Sequence, residues 1–351
     1  MMHTPRLPAL LAVAPLLLVI CCAHHEESPP PDSGDHPLEL RPQPWQRRGS
    51  PVLSADTTQQ SWSSKMLYSP AVVHVDGVFK MWYVGSEGDY AAEHRVLNIG
   101  YAESEDGVQW REYAGNPILL AKDLPFATDF QTPFVLFDEE ERIYKMWFIS
   151  LYLDDQRMDQ MLGYATSTDG IDWSIHPEPI YWSGRSPSVI KEGPDRYRMW
   201  MNSRPSPEAD DMDLYGYIYE FASSDGIEWE RGGEPMIVPS GKAHEGVIYP
   251  YVLKEEDAFR IWYGSYDESD TRFHLFSATS KNGSDWLLRH DLEAFSAHDD
   301  PRSFDAKYVS TPWVLSLEDR YLLYYSARDY RKVETGNIYR HIGLAEIIKP
   351  D

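Results

Sequence analysis

Short segments in which bulky apolar residues alternate with polar ones recur along most of the chain. Five of them share an aromatic-rich pattern, at Phe79–Tyr83, Tyr144–Phe148, Tyr197–Met201, Phe259–Tyr263 and Tyr321–Tyr325. A period of two residues is that of a β-strand, because successive side chains point to opposite faces of a sheet. Since no helical pattern of any length interrupts these segments, we expect an all-β protein.

Each aromatic strand has companion motifs that repeat with the same period. A Pro-x-Val/Ile segment precedes it, beginning at Pro70, Pro133, Pro187, Pro250 and Pro312. A Ser-x-Asp/Asn-Gly-x-x-Trp motif follows four of the strands and ends at Trp110, Trp173, Trp229 and Trp286, at intervals of 63, 56 and 57 residues. Asp-Gly and Asn-Gly between β-prone runs predict a tight hairpin, because both residues tolerate positive φ. A fixed period of this length is typical of repeat architectures.

The repeat count predicts how the ring of repeats closes. There are five Pro-x-Val segments and five aromatic strands but only four turn motifs, so the last unit lacks its outer strand. Trp45 and the segment 50–53 (Ser-Pro-Val-Leu) stand at the offset of the missing piece. We therefore predict a five-bladed β-propeller over residues 45–351, with four antiparallel strands per blade and a ring closed by an N-terminal strand.

The repeated motifs resemble those of the arabinanase, levansucrase and invertase superfamily, which includes glycoside hydrolase families 43 and 32. The resemblance implies an Asp on blade one, an Asp on blade two and a Glu on blade three as catalytic residues. Asp129 matches the second position. Ser63 stands at the first position, with Asp56 further upstream, and blade three presents Arg185. The chain is thus similar to the superfamily as a divergent member.

The residues just before the Pro-x-Val segments are expected to line one mouth of the central channel. Cleavage of a glycosidic bond needs two carboxyl groups, and the candidates there are Asp129, Glu245 and Asp305. Glu245 is the preferred general acid, and the two Asp residues are candidates for base or transition-state stabiliser. Candidates for binding substrate are Arg185, His244 and Lys307 through polar groups, and Trp62, Phe130, Trp182 and Tyr308 through ring stacking.

Two functions stay open on this evidence. The first is a glycosidase-like protein acting on or binding polysaccharide, and the second is a non-catalytic propeller that binds glycan or protein. Asp129 and Asp305 also suit plain strand-end caps. We expect no cofactor and no metal. The acidic segment with Asp154, Asp155 and Asp159 is interpreted as a solvated hairpin tip, and the alternative interpretation is a site for a divalent cation. A monomer is expected.

The net charge of the chain limits its expected partners, and its N-terminal segment predicts its location in the cell. The net charge of −24 repels phosphate backbones, so nucleic acid is not an expected partner. Residues 10–22 are apolar but too short to span a bilayer, which predicts a signal peptide over 1–22. Cys21 or Cys22 is the candidate lipidation site, and 23–44 the disordered tether. We expect an exported protein, either a cell-envelope lipoprotein or a secreted protein. Its expected contact with a membrane is through the lipid attached at that cysteine.

Overall fold

The computed structural model describes residues 43–88, 96–126, 128–153, 158–205, 216–239, 246–265, 272–288, 293–331 and 339–349. All of them belong to the compact unit His36–Asp351. The predicted signal peptide, its two cysteines and nearly all of the predicted tether lie outside these residues, as do His244 and Glu245. No helix among the described residues has the length and apolar character that a membrane span requires.

Five antiparallel sheets confirm the predicted propeller, and each is one blade. Blade one consists of Met66–Val75, Val78–Ser86, Asn98–Ser104 and Arg111–Glu112. Blade two consists of Gln131–Asp138, Ile143–Leu153, Met158–Ser167 and Ser174–Ile175, with Tyr181–Trp182 also paired to its third strand. Blade three consists of Gly184–Gly193, Arg196–Ser203, Ile218–Ser223 and Glu230–Arg231.

The last two blades complete the ring. Blade four consists of Ile248–Lys254, Phe259–Ser265, His274–Ser280 and Leu287–Leu288. Blade five consists of Tyr308–Ser316, Arg320–Arg328 and His341–Ile348, with the N-terminal strands Gln46–Arg47 and Leu53–Ser54 paired to the last of these. The described helices are two short 3₁₀ turns, Ser61–Ser63 and Ala121–Asp123.

The N-terminal strand closes the ring as predicted. Gln46 and Arg47 lie opposite Glu346 and Ala345 in antiparallel register, so the first described strand forms the outer strand of the last blade. The inner strand of blade five packs against that of blade one. The first and last described strands are therefore hydrogen-bonded to each other within one sheet, which joins the two ends of the ring.

The Gly-x-x-Trp spacing of the turn motif has a structural reason. In blade two, the indole of Trp173 donates back to the carbonyl of Gly170 in its own turn at 2.9 Å. Trp82 of the preceding blade donates to the same carbonyl at 2.7 Å. Gly170 has φ of 84°, a conformation that glycine adopts without steric cost. One carbonyl therefore uses both lone pairs to join two blades.

This blade-to-blade hydrogen bond recurs around the whole ring. The corresponding donors and acceptors are Trp147 to Gly226, Trp200 to Gly283, Trp262 to Gln43 and Tyr324 to Gly107, at 2.7–3.0 Å. Blade five has no turn motif, and the side-chain carbonyl of Gln43 takes its place. Gln43 is buried, so the folded domain begins before the predicted boundary at residue 45.

The turns themselves are longer than Asp-Gly predicts. In blade one the third strand ends at Ser104 and the fourth begins at Arg111, whereas a tight hairpin has two loop residues. The Asp106 carboxylate accepts the backbone N–H groups of Val108 and Gln109 at 2.8 Å each. These bonds favour a local Asx turn over direct pairing of the two strands.

Candidate functional site

The five inner strands share one irregularity where each enters the channel. The residue before each proline has positive φ, between 37° and 61°, and the strand pairing shifts register there. These residues are Ser69, Thr132, Ser186, Tyr249 and Thr311. Such a conformation costs a non-glycine residue of order 1 kcal/mol, and strained backbone of this kind occurs often at functional sites. The five X-Pro steps form a ring, called here the proline ring.

The proline ring leaves little space in the channel. The cavity that it lines has a volume of about 30 Å³, whereas ligand pockets are typically about 300–1,000 Å³. One residue beyond the ring, Phe134, Tyr251 and Trp313 pack together with ring centroids 4.8–6.2 Å apart. The channel at the proline ring is therefore too narrow for a ligand of the size of a sugar ring. The channel entrance, formed by the start of each inner strand and the side chains around it, is called the mouth.

Asp129 lies in the mouth on blade two. Its carboxylate accepts the backbone N–H of Leu151 and the side-chain amide of Gln131, both at 3.0 Å. The residue is 2% exposed. Hydrogen bonds donated to a carboxylate favour its charged form, so this geometry suits a base or nucleophile better than a proton donor.

Blades two and three meet at a second polar group in the mouth. The guanidinium of Arg185 donates to the side-chain oxygen of Gln160 and to the hydroxyl of Tyr249, both at 3.2 Å. It also lies 5.5 Å from the centroid of the Tyr249 ring. Arg185 thus occupies the blade-three position where the resemblance implies a Glu, and its planar fork can bind sugar hydroxyls or a carboxylate.

Asp159 differs from the solvated hairpin tip expected for its segment. It is 1% exposed, and its carboxylate accepts the N–H of Gln160 at 2.8 Å and the hydroxyl of Ser183 at 3.1 Å. Arg204 of blade three lies 3.6 Å away. Asp154 and Asp155 lie outside the described residues. Among the residues described, no group of three or more His, Cys, Asp or Glu could hold a metal ion.

Three tyrosine rings pack together between blades five and one. The ring of Tyr339 lies 5.4 Å from that of Tyr68 and 6.2 Å from that of Tyr308. Burial, followed by the influence of neighbouring Tyr249, raises the pKa of Tyr339 well above its ordinary value. The phenol is therefore a protonated donor throughout the physiological range.

Blade five adds two cations to this side of the mouth. The guanidinium of Arg328 lies 5.3 Å from the centroid of the Tyr308 ring, and the ammonium of Lys307 lies 5.7 Å from it. Lys307 is also 5.4 Å from the ring of Tyr330, which is 46% exposed. Of the predicted binding residues, Arg185, Lys307 and Tyr308 thus lie in the mouth.

Three predicted stacking residues have different surroundings. Trp62 is 9% exposed and packs within the core against Tyr83, and Phe130 is fully buried against Phe148. Neither ring can offer a face to a sugar, so these two predictions are wrong. Trp182, in the short strand that pairs with the third strand of blade two, is 48% exposed, as stacking requires.

Asp305 has the environment of a structural carboxylate. It is fully buried, and it accepts hydrogen bonds from Ser303 at 2.6 Å and from the hydroxyl of Tyr325 at 2.8 Å. Arg47 of the N-terminal strand lies 3.2 Å from the same carboxylate. The ion pair links the closing strand to the segment that precedes the inner strand of blade five.

A second charged group lies where the N-terminal segment meets blade five. Asp56 pairs with Arg340 and Arg331, and Arg331 also pairs with Asp329. Burial would raise the pKa of Asp56, but hydrogen bonds from the two arginines outweigh it and lower that pKa. The acid nearest to the blade-one position is therefore engaged in ion pairs.

Asp329 makes stability depend on pH. Burial would raise the pKa of its carboxyl, but the nearby His341 imidazole and hydrogen bonds from Arg331 outweigh it and lower this pKa to about 2. A depressed pKa stabilises the fold above the unfolded value of about 3.9, and the gain is lost as the pH falls to about 2.

Asp329→Asn is expected to lower Tm at pH 7, and the Tm difference between the variant and wild type should shrink between about pH 4 and pH 2. Thermal melts across this range test it, with exposed Glu318→Gln as control. A constant difference would contradict it.

Comparison with known proteins agrees with the resemblance seen in the sequence. The profile of the glycosyl hydrolases family 32 N-terminal domain matches residues 45–214, which contain the closing strand, blades one and two, and part of blade three. Two uncharacterized proteins of Mycobacterium tuberculosis, from strains H37Rv and CDC 1551, are each 26% identical over 184 residues. The match covers 50% of this chain and 59% of each relative, so it extends over little more than half of their length.

Solved structures share the architecture over most of the chain. A glycosyl hydrolase from Bacteroides ovatus has a TM-score of 0.65 at 16% identity, covering 87% of this chain and 96% of its own. A protein of the family 130 of mannoside phosphorylases and glycoside hydrolases, a family with members that target β-1,2 mannosidic linkages, has a TM-score of 0.63 at 17% identity, covering 86% and 93%. A thermostable family 43 glycoside hydrolase has a TM-score of 0.61 at 14% identity, covering 81% and 93%. At these identities the likeness shows the fold alone.

Proposed function

We propose that this chain, a five-bladed β-propeller of the glycoside hydrolase family 32 and 43 type, binds an oligosaccharide or polysaccharide at the mouth and cleaves a glycosidic bond there. The observation that carries the proposal is the composition of the mouth. Amide, guanidinium and phenol groups face an entrance that the proline ring closes below. Such groups hydrogen-bond sugar hydroxyls, and aromatic faces pack against sugar rings.

Asp129 is the best-placed carboxylate for the chemistry. Its carboxylate accepts hydrogen bonds from two donors, an arrangement that suits activation of water or direct attack on the anomeric carbon. The proton donor assigned in this proposal is Glu245, which comes shortly before the inner strand of blade four in the sequence and lies outside the described residues.

A second function, binding without cleavage, has one observation in its favour. The described carboxylates of the mouth, Asp129 and Asp159, already accept two or more hydrogen bonds each from the protein. An acid on blade three is replaced by Arg185. A mouth built in this way retains a glycan through its amide, phenol and guanidinium groups without reacting with it.

Trp182→Ala tests whether the mouth binds glycan. If the exposed ring stacks on a sugar, its loss is expected to weaken binding by about 1 kcal/mol, roughly fivefold. Affinity electrophoresis against a panel of soluble polysaccharides measures this. Tyr113→Ala is the matched control, because Tyr113 is 40% exposed but follows the outer strand of blade one. Equal effects of both substitutions, or no binding by wild type, would count against the proposal.

A further inference from the structure

Arg328 is set apart from the other arginines of blade five and its seam. It ends the second strand of the blade and lies opposite Tyr308 in register. Its Nε is shielded from solvent and has no hydrogen-bond partner among the described residues. Within the same residues no carboxylate pairs with it, whereas Arg47, Arg331 and Arg340 are each paired with an aspartate.

A half-buried guanidinium without an anion is costly. Removing a charge from water costs several kcal/mol in order of magnitude unless a partner of opposite charge compensates for it. The Tyr308 ring, 5.3 Å away, supplies only part of that compensation, since a cation–π contact is worth about 0.5–2 kcal/mol. The surroundings of Arg328 therefore favour an anion brought by a ligand.

Lys307 places a second cation beside Arg328 and so also favours an anionic ligand. Its ammonium lies 5.7 Å from the ring that Arg328 covers, so two cations share one aromatic side chain. On its other side Lys307 contacts the exposed ring of Tyr330, which opens this group to solvent. The chain as a whole carries a net charge of −24, and here two basic side chains lie next to one ring.

We infer that the glycan bound at the mouth is acidic, and that Arg328 and Lys307 bind the carboxylate of one of its sugar units, a uronic acid. This rests on the proposed function and names its substrate class. A carboxylate matches the planar fork of a guanidinium and can accept two parallel hydrogen bonds from it, whereas a neutral hydroxyl cannot neutralise the charge. Tyr330, beside Lys307, is the exposed ring available for stacking against that unit.

The test compares uronate-containing polysaccharides, such as polygalacturonate, alginate and hyaluronan, with their carboxyl-reduced counterparts. Wild type is expected to bind at least one acidic form about tenfold more tightly than its reduced form, in a salt-dependent way. Arg328→Gln should abolish that preference, and Arg328→Lys should retain part of it. Arg320→Gln is the matched control, because Arg320 begins the same strand and pairs with exposed Asp319.

The outcomes separate this inference from the proposed function. Equal binding of acidic and reduced forms overturns the inference and leaves carbohydrate binding intact. Absence of binding to both forms overturns both. A preference for sulfated over uronate polysaccharides also overturns it. Circular dichroism and a thermal melt establish that Arg328→Gln is folded, and if it is not, Lys307→Gln is expected to reduce the preference in its place.

Discussion

Trp147→Ala is expected to lower the free energy of unfolding by about 3–5 kcal/mol, the usual cost of removing a fully buried large aromatic side chain. The indole is 0% exposed and packs between blades two and three against Tyr164 and Trp229. Its N–H donates to the carbonyl of Gly226 at 2.7 Å. The substitution therefore opens a cavity and removes one link of the blade-to-blade ring. Urea or thermal unfolding followed by tryptophan fluorescence measures the change.

Two further variants separate packing from the hydrogen bond. Trp182→Ala removes a tryptophan that is 48% exposed and is expected to change stability by less than about 0.5 kcal/mol. Trp147→Phe keeps most of the ring and removes one of the two donors to the Gly226 carbonyl, which still accepts from Trp229. The expected loss is about 1–3 kcal/mol, from the lost hydrogen bond and the smaller ring. If Trp147→Ala were no more harmful than Trp182→Ala, the inter-blade role of the second-strand tryptophan would be wrong.

The fold was predictable because each blade repeats the same structural requirement. Every blade needs an aromatic donor on its second strand and an acceptor in the next blade, so these residues recur at one period. The missing fifth turn motif pointed correctly to the N-terminus. Its replacement by Gln43 had no signal in the sequence, since a side-chain amide there substitutes for a backbone carbonyl.

The mouth was harder to predict for two physical reasons. Position just before an inner strand was the criterion that identified Asp129, but it also selected its neighbour Phe130. Neighbouring residues in extended backbone point to opposite faces, so this criterion could not hold for both side chains. That alternation places Phe130 in the core between Asp129 and Gln131. Arg328 and Tyr339 reach the mouth from other segments of the last blade, so only tertiary structure brings them to Tyr308.

The backbone conformation at the X-Pro steps could not be predicted from the sequence. Proline at the start of each inner strand was visible as a repeat. A residue before proline is ordinarily extended, so the positive φ of Ser69 and its four equivalents could not be expected. These X-Pro steps line the narrow part of the channel.

Asp129→Asn is expected to reduce glycan cleavage by at least about 100-fold, the low end for loss of a general base or nucleophile. The amide keeps the size of the side chain and can still accept the Leu151 N–H, so folding and glycan binding should change little. The measurement is the release of new reducing ends from whichever polysaccharide wild type binds. Unchanged turnover in the variant would remove Asp129 from the mechanism, and absence of turnover in wild type would favour binding without cleavage.

Asp305→Asn is the matched control, because it makes the same chemical change in an aspartate that is also buried. Its carboxylate pairs with Arg47 of the closing strand, so the substitution leaves a half-buried guanidinium without its anion. Breaking one side of such a pair costs about 3–5 kcal/mol, and Tm should fall accordingly. Turnover per folded molecule, measured well below that Tm, should stay at the wild-type level. The two aspartates would then differ as their contacts indicate, with Asp129 serving the bound glycan and Asp305 the closure of the ring.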